Sequence, residues 1–98
     1  MEMFIIKDRL GVLEMFMIEA KLEKDTELFG EMDPYTKITI SGKSYETNVC
    51  ENAGKNPVWN MKLKIPIESV TEEMKIEVLD KDMTVDDLVG KRNVNLFT

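Results

Sequence analysis

The chain has 98 residues, of which 43% are hydrophobic, and a formal net charge of −6. This length and composition fit one domain with one apolar core and argue against intrinsic disorder. The acidic balance argues against nucleic acid as a partner, and the absence of histidine excludes Ser-His-Asp and Cys-His catalysis as well as His-ligated zinc.

Taken in chain order, apolar and polar residues predict a succession of strands. EMFII (2–6) is a weak candidate, and GVLEMFMIEA (11–20) is almost continuously apolar, as a strand covered on both faces is. YTKITI (35–40) is rich in β-forming residues. The dipeptide Ser41-Gly42 that follows is a turn signal, so we expect the chain to reverse there and pair with the next strand.

The second half of the chain continues the pattern. Residues 44–50, 58–67 and 74–78 alternate between apolar and polar side chains, and NVNLF (93–97) is a weaker candidate. Trp59 falls on the apolar face of its strand, so we expect it in the core. Because no segment shows a helical stripe, the sequence predicts an all-β chain folded as one β-sandwich over residues 1–98.

Long polar segments over residues 21–32, 51–57 and 80–90 separate some of these strands. Loops at the ends of a sandwich commonly carry function. The first and third segments, with the residue that follows the first, hold most of the loop carboxylates: Glu23, Asp25, Glu27, Glu31 and Asp33, then Asp80, Asp82, Asp86 and Asp87. Ca²⁺ takes about six to eight oxygen ligands, which two such loops can supply together.

An EF-hand is the competing calcium motif, and the segment that begins at Asp80 does not fit it. Thr84 occupies the fifth position, Val85 stands where that loop needs glycine, and Lys91 stands where it needs a bidentate glutamate. Zinc is disfavoured because it prefers nitrogen and sulfur ligands. The acidic loops therefore indicate calcium held by a different architecture.

Five stretches carry a resemblance to a known family: GVLEMFMIEAKL, ELFGEMDPYTKI, GKNPVWN, KIEVLDKD and DDLVG. In this order and spacing, over residues 11–96, the sequence resembles a C2 domain. The resemblance implies an antiparallel Greek-key β-sandwich of seven to eight strands, with calcium-binding loops at one end. It also implies calcium-dependent docking to phospholipid membranes.

The resemblance implies a ligand set for Ca²⁺, the expected cofactor. Its members are Glu27, Asp33, Asp80, Asp82 and Asp87. Glu27 departs from the family, which has aspartate there, and Asp25 is a nearby substitute. The third loop is one residue shorter than in many relatives, so Asp86 is an alternative to Asp87. Both alternatives stay open at the level of sequence.

Apolar residues stand at the tips of the same two loops. Leu28 and Phe29 lie in the first loop, and Met83 and Val85 lie in the third. Exposed apolar tips beside a cation site suit insertion among lipid headgroups. We therefore predict a peripheral module that anionic phospholipid membranes recruit reversibly. The alternative is a calcium-independent C2-type module that binds a protein partner.

The remaining expectations concern chemistry, compartment and assembly. No nucleophile–base pair is recognisable, so the sequence predicts no enzymatic activity. Cys50 is the single cysteine, which leaves no internal disulfide and favours the cytoplasm. The N-terminus resembles no signal peptide. The closing strand of the family is not recognisable at the C-terminus, which allows a dimer formed by strand exchange.

Overall fold

The computed structural model describes residues 2–7, 12–24, 27, 30–66 and 73–95. These ranges form seven strands: β1 (Glu2–Lys7), β2 (Val12–Glu19), β3 (Pro34–Ile40), β4 (Lys43–Glu46), β5 (Val58–Pro66), β6 (Glu73–Asp80) and β7 (Asp87–Asn95). They build a sheet of order β1-β2-β5 and a sheet of order β4-β3-β6-β7, and every pairing is antiparallel. The predicted all-β class is confirmed.

The main core lies between the two sheets. The three-stranded sheet contributes Met15, Met17, Leu63 and Ile65, and the four-stranded sheet contributes Ile38, Ile40, Met74 and Ile76. Side chains alternate across a strand, so each sheet buries one face and leaves the other in contact with water. The period-two patterns in the sequence therefore mark the buried face correctly.

A smaller cluster formed by Ala20, Trp59 and Val78 adjoins the main core. The Trp59 side chain is buried, and its indole nitrogen donates a hydrogen bond to the Pro34 carbonyl oxygen at 3.1 Å. Burial of the ring with its polar atom satisfied is the usual state of a core tryptophan. The prediction that Trp59 belongs to the core is confirmed.

The expectation that β2 is covered on both faces is wrong. Met15 and Met17 are fully buried, but Phe16 and Ile18 on the opposite face are only half-buried. The Lys62 ammonium lies 5.8 Å from the centre of the Phe16 ring. The apolar run reflects a central strand whose outer face is covered in part by long side chains of its neighbour.

The β3–β4 hairpin turns at Ser41 and Gly42, as predicted. Both residues have positive φ angles, 50° and 74°, and Ile40 pairs with Lys43 across the turn. Two-residue turns of this hand match the twist of the flanking strands, and a side chain at a positive φ is strained unless the residue is small or polar. Serine and glycine therefore specify the reversal.

The strand predicted over residues 44–50 is shorter than expected, because regular pairing ends at Glu46. The Thr47 hydroxyl accepts a hydrogen bond from the Thr36 amide at 2.9 Å, and the Thr36 carbonyl accepts one from the Thr47 amide at 2.9 Å. A side chain thus replaces one backbone acceptor, which interrupts the ladder.

Both weak strand candidates are confirmed. EMFII belongs to β1, which pairs with β2. The described part of NVNLF is the end of the longer strand β7, which pairs with β6 from Asp87 to Asn95 with one bulge. No helix in the described ranges is long and apolar enough to cross a membrane.

Candidate metal centre at the acidic loops

Three strand ends bring the predicted ligands to one end of the sandwich. Pro34, the first residue of β3, pairs with Asp80, the last residue of β6, and Asp80 pairs with Asp87, the first residue of β7. Asp33 immediately precedes β3. We call this region, formed by Glu27, Asp33, Asp80, Asp82, Asp86 and Asp87, the acidic end.

Asp80 and Asp33 tie the loops together through backbone amides. The Asp80 side chain is fully buried, and its Oδ1 accepts a hydrogen bond from the Asp33 amide at 2.8 Å. Oδ1 of Asp33 in turn accepts one from the Asn52 amide at 2.7 Å. The Lys81 amide donates to the Asp33 carbonyl oxygen at 3.0 Å. Three loops therefore share one hydrogen-bonded frame.

Glu27 faces this frame and shares a side-chain hydrogen bond with Asp80. Two carboxyl groups can hydrogen-bond only if one of them holds a proton. That bond, the negative charge of Asp80, partial desolvation and the charges of Asp82 and Asp33 together raise the pKa of Glu27 to about 7. The carboxyl groups of Asp33, Asp80 and Asp82 therefore all lie close enough to Glu27 to repel its negative charge.

Asp86 is committed to contacts within the third loop. Its Oδ1 accepts a hydrogen bond from the Asp82 amide at 2.9 Å, and its Oδ2 accepts one from the Tyr35 hydroxyl. The Lys81 ammonium lies 3.6 Å from the same Oδ2. The Asp82 amide and the Tyr35 hydroxyl are the main causes of the lowered pKa of Asp86.

The pKa of the Tyr35 hydroxyl shifts in the opposite direction to that of Asp86. Burial of the ring, followed by the hydrogen bond to Asp86, raises the pKa of Tyr35. The Asp82 carboxylate also folds back, since its Oδ1 accepts a hydrogen bond from the Met83 amide at 2.6 Å. The third loop is therefore shaped by two of its own aspartates and by one tyrosine from β3.

The other predicted site residues stand apart from these contacts. Asp87 is exposed, and within the described ranges its side chain forms no hydrogen bond or ion pair. Asp25, Leu28 and Phe29 lie outside the described residues. Among the residues that are described, no three acidic or cysteine side chains are already grouped as a metal ion would require.

The third loop presents its apolar tip to solvent. Met83 is fully exposed, and 74% of the surface of Val85 is accessible. Such exposure is unusual for large apolar side chains that stand close together in a short loop. Membrane contact at these two residues stays a prediction.

The second loop, residues 51–57, forms hydrogen bonds with the first loop that the sequence did not predict. Asn52 and Gly54 have positive φ angles of 55° and 60°, and the Gly54 amide donates to the Met32 carbonyl at 3.0 Å. A Cβ at Gly54 would overlap the Glu31 carboxylate. The Asn-Ala-Gly stretch was the available signal, because asparagine and glycine are the residues that tolerate this backbone conformation.

Two comparisons of sequence give related results. A sequence model of the C2 domain family matches residues 11–98. The 16 kDa phloem protein 2 of Arabidopsis thaliana is 34% identical over 87 residues, which are 88% of this chain and 59% of that protein. Extended synaptotagmin-1 of Mus musculus is 37% identical over 95 residues, covering 90% of this chain and 9% of that protein. The chain thus spans only part of each relative's length.

Solved structures give the same picture for the fold. A C2 domain of RIM from Drosophila superposes with a TM-score of 0.82 at 12% identity and covers 96% of this chain and 82% of that one. A structure of two C2 domains of Extended-Synaptotagmin 2 superposes with a TM-score of 0.75 at 28% identity and covers 95% of this chain and 32% of that one. The first likeness, at low identity, bears on the fold alone.

Proposed function

Because this chain belongs to the C2 family, we propose that it docks to phospholipid membranes when Ca²⁺ binds at the acidic end. One observation carries the proposal: Glu27 hydrogen-bonds to Asp80 at the end of the sandwich where Asp80 pairs with Asp87, and the pKa of Glu27 is raised by that bond and by the charges of Asp80, Asp82 and Asp33. Like charges that converge from separate loops destabilise a fold unless a cation or a proton compensates them. The hydrogen bond between Glu27 and Asp80 relieves part of this repulsion.

The donor set fits a hard divalent cation, since it consists of carboxylate oxygens without histidine or cysteine. Glu27, Asp33, Asp80 and Asp82 would hold the ion, with Asp87 at the rim. When bound, calcium supplies positive charge that attracts lipid phosphate oxygens. The fully buried Asp80 and the Asp33–Asn52 hydrogen bond keep the loops in place before binding.

In this proposal Asp86 holds the third loop in shape and does not bind the ion. Both of its carboxylate oxygens are engaged by the Asp82 amide, the Tyr35 hydroxyl and the Lys81 ammonium. A ligand must present an oxygen to the ion, and these contacts direct the oxygens of Asp86 toward the loop. We therefore assign the ligand role to Asp87 and the role of holding the third loop to Asp86.

Electrostatics set the magnitude of the binding free energy in the proposed docking. Near a membrane surface at about −30 mV, one unit charge changes the binding free energy by about 0.7 kcal/mol. Two calcium ions therefore shift it by about 3 kcal/mol, or about a hundredfold in affinity. Insertion of an exposed side chain such as Met83 adds about 1.5–3 kcal/mol. These values suit reversible recruitment from the cytoplasm, which we propose as the location.

Sedimentation with vesicles tests the proposal. The double variant Asp80→Asn and Asp82→Asn keeps side-chain shape but removes two charges, and we expect it to lose calcium-dependent binding to vesicles that contain phosphatidylserine. Glu73→Gln, at the opposite end of β6, is the matched control. Equal sedimentation of the double variant and the unaltered chain would exclude the proposed site.

The absence of a ready-made ligand group among the described side chains favours a second candidate. In it the chain is a calcium-independent module that binds a protein partner through a sheet face. This candidate predicts that millimolar calcium leaves the melting temperature unchanged, whereas a calcium site raises it. Magnesium serves as the control ion. The C2 domain is generally a non-catalytic module, and we propose no enzymatic activity for the chain.

A further inference from the structure

A small cleft opens between the two sheets on the flank of the sandwich, near the acidic end. It has a volume of about 190 Å³ and is lined by Ala20, Lys21, Leu22, Val78, Gly90, Lys91 and Arg92. None of these lining residues is acidic, although the chain has 19 acidic and 13 basic residues. We call it the cationic cleft.

The backbone on both sides of the cationic cleft is fixed. After β2, the Ala20 amide donates to the Pro57 carbonyl at 3.1 Å, and the Leu22 amide donates to the Lys55 carbonyl at 2.8 Å. On the other side, Gly90 pairs with the buried Val78. Paired residues share a face of the sheet, so Gly90 also lies on the core-facing side.

Gly90 leaves room at the floor of the cleft. A Cβ at this position would meet no heavy atom within 4 Å. The space therefore exists because Gly90 has no side chain and because the two sheets are separated at the edge strand β7. Because a Cβ there meets no neighbouring atom, a substitution at Gly90 provides a way to fill the cleft.

Arg92 lies on the core-facing side of the edge strand. It pairs with Ile76, which is fully buried, and Val94 two residues further along packs against the main core. Arg92 is nevertheless exposed, as is Lys21 across the opening. In the part of the chain that is described, no side chain forms an ion pair or hydrogen bond with either of them.

An inward-pointing charge on an edge strand also discourages pairing with other chains. That role accounts for Arg92 but not for Lys21, because Lys21 belongs to no strand. Lys91 pairs with Glu77 on the other face of the sheet, so its side chain contributes less to the cleft. The two cations that need an explanation are therefore Lys21 and Arg92.

The shape and charge of the cleft select a ligand class. Its volume of about 190 Å³ is below the roughly 300–1,000 Å³ of sites for drug-sized molecules, so a group of phosphate size fits. A guanidinium presents paired donors that match two phosphate oxygens, and a lysine adds a point charge. Leu22 and Val78 give the cleft an apolar wall beside these donors.

We propose that the cationic cleft binds the phosphomonoester headgroup of an anionic phospholipid, and that it does so without calcium. Val78 precedes Asp80 by two residues, which places the cleft about 7 Å from the acidic end along β6. One bilayer can therefore contact both regions. The inference rests on the proposed membrane function, but it concerns separate residues and a separate charge.

Two titrations in the presence of a calcium chelator test this site. Glycerol 3-phosphate, followed by the NMR shift of the Gly90 amide, reports on the phosphomonoester alone. Vesicles of phosphatidylcholine with and without phosphatidic acid report on the lipid. We expect saturable binding in both, weakened about tenfold by Lys21→Gln or Arg92→Gln, because each removes a charge-assisted hydrogen bond.

Two further variants keep the test specific. Gly90→Val fills the cleft without changing charge and should weaken binding as much as Arg92→Gln. Lys64→Gln removes one exposed charge on the other sheet and should leave binding unchanged. Equal weakening by Lys64→Gln, or full binding by Gly90→Val, would overturn the proposal. Saturation by glycerol 3-phosphate without any binding to phosphatidic acid would overturn the lipid as its source.

The same vesicles separate this inference from the proposed function. Chelator-resistant binding to phosphatidic acid that survives in the Asp80→Asn and Asp82→Asn double variant supports the cleft alone. If calcium adds no binding in the unaltered chain, the proposed function fails and the cleft stands. Loss of chelator-resistant binding with calcium-dependent docking intact contradicts the cleft alone.

Discussion

The acidic end and the cationic cleft share strands β6 and β7 but present opposite charge. Asp80 and Asp87 pair at the ends of these strands, and Val78 and Gly90 pair a short distance away beside Arg92. The formal net charge of −6 therefore conceals a separation of sign over about 7 Å. Net charge predicts long-range behaviour of a domain, but the local arrangement of side chains decides which ligand a surface accepts.

A bulge between these two regions makes the difference possible. The β6–β7 register shifts between Val78 and Leu79, where Leu79 pairs with Leu88 and Val78 pairs with Gly90. The extra residue, Val89, packs against the smaller core cluster. Because a bulge exchanges the two faces of a strand, it sets Gly90 and Arg92 on the core-facing side.

The largest predicted effect comes from a substitution in the smaller core cluster, which packs behind both the acidic end and the cationic cleft. Trp59→Ala deletes a buried ring and the hydrogen bond to the Pro34 carbonyl, directly behind Asp33 and next to Val78. We expect the free energy of unfolding to fall by about 3–5 kcal/mol. Urea unfolding measures the change, and both calcium and phosphate binding should weaken with it.

Val58→Ala is the matched control for this variant, since Val58 is the preceding residue and is 49% exposed. Its effect should stay within about 0.5 kcal/mol. If Trp59→Ala abolished one kind of binding and left the other intact in the folded fraction, the two regions would not share this support.

A smaller effect is expected from a substitution that alters the acidic end and leaves the cationic cleft unchanged. Tyr35→Phe removes the hydroxyl that donates to Asp86, and this hydrogen bond holds the third loop. We expect the free energy of unfolding to fall by about 1–2 kcal/mol, because a carboxylate loses a donor. Calcium affinity measured by calorimetry should fall severalfold, while phosphate binding at the cationic cleft should not change. A parallel loss of both would contradict the assignment of Asp86 to the third loop.

Sequence patterns predicted the sandwich well because local rules determine its elements. Alternation marked Leu63 and Ile65 as core residues, and Ser41-Gly42 marked the hairpin turn, since both signals need only neighbours along the chain. The roles of Asp86 and Arg92 could not be predicted in this way. One depends on a tyrosine 51 residues away, and the other depends on a bulge that inverts the alternation.

The candidate metal site shows the same limit. The sequence resemblance indicated which strand ends carry carboxylates, and the structure places Asp80 and Asp87 opposite each other. It did not indicate that Glu27 shares a proton with Asp80, because that bond depends on how two loops meet. Proton sharing of this kind is decided by distances between charges and not by residue type alone.

The smallest predicted effect concerns that proton, and it is small because solvent screens a carboxyl group at this position. The pKa of Glu27 is about 7 in the folded chain and 4.5 in the unfolded reference. Below pH 4.5 both states hold the proton, and between 4.5 and about 7 only the folded state keeps it. Folding therefore takes up a proton in this window, and the free energy of unfolding decreases as the pH rises through it.

Glu27→Gln removes this dependence and sharpens the contrast between the acidic end and the cationic cleft. Glutamine keeps a hydrogen-bond donor for Asp80 at every pH, so the variant should lose less stability than the unaltered chain between pH 5 and 7. Chemical unfolding of both proteins across this range measures the difference, with Glu73→Gln as the control. Coincident pH profiles of Glu27→Gln and the unaltered chain would contradict the raised pKa of Glu27 and, with it, the proton shared with Asp80.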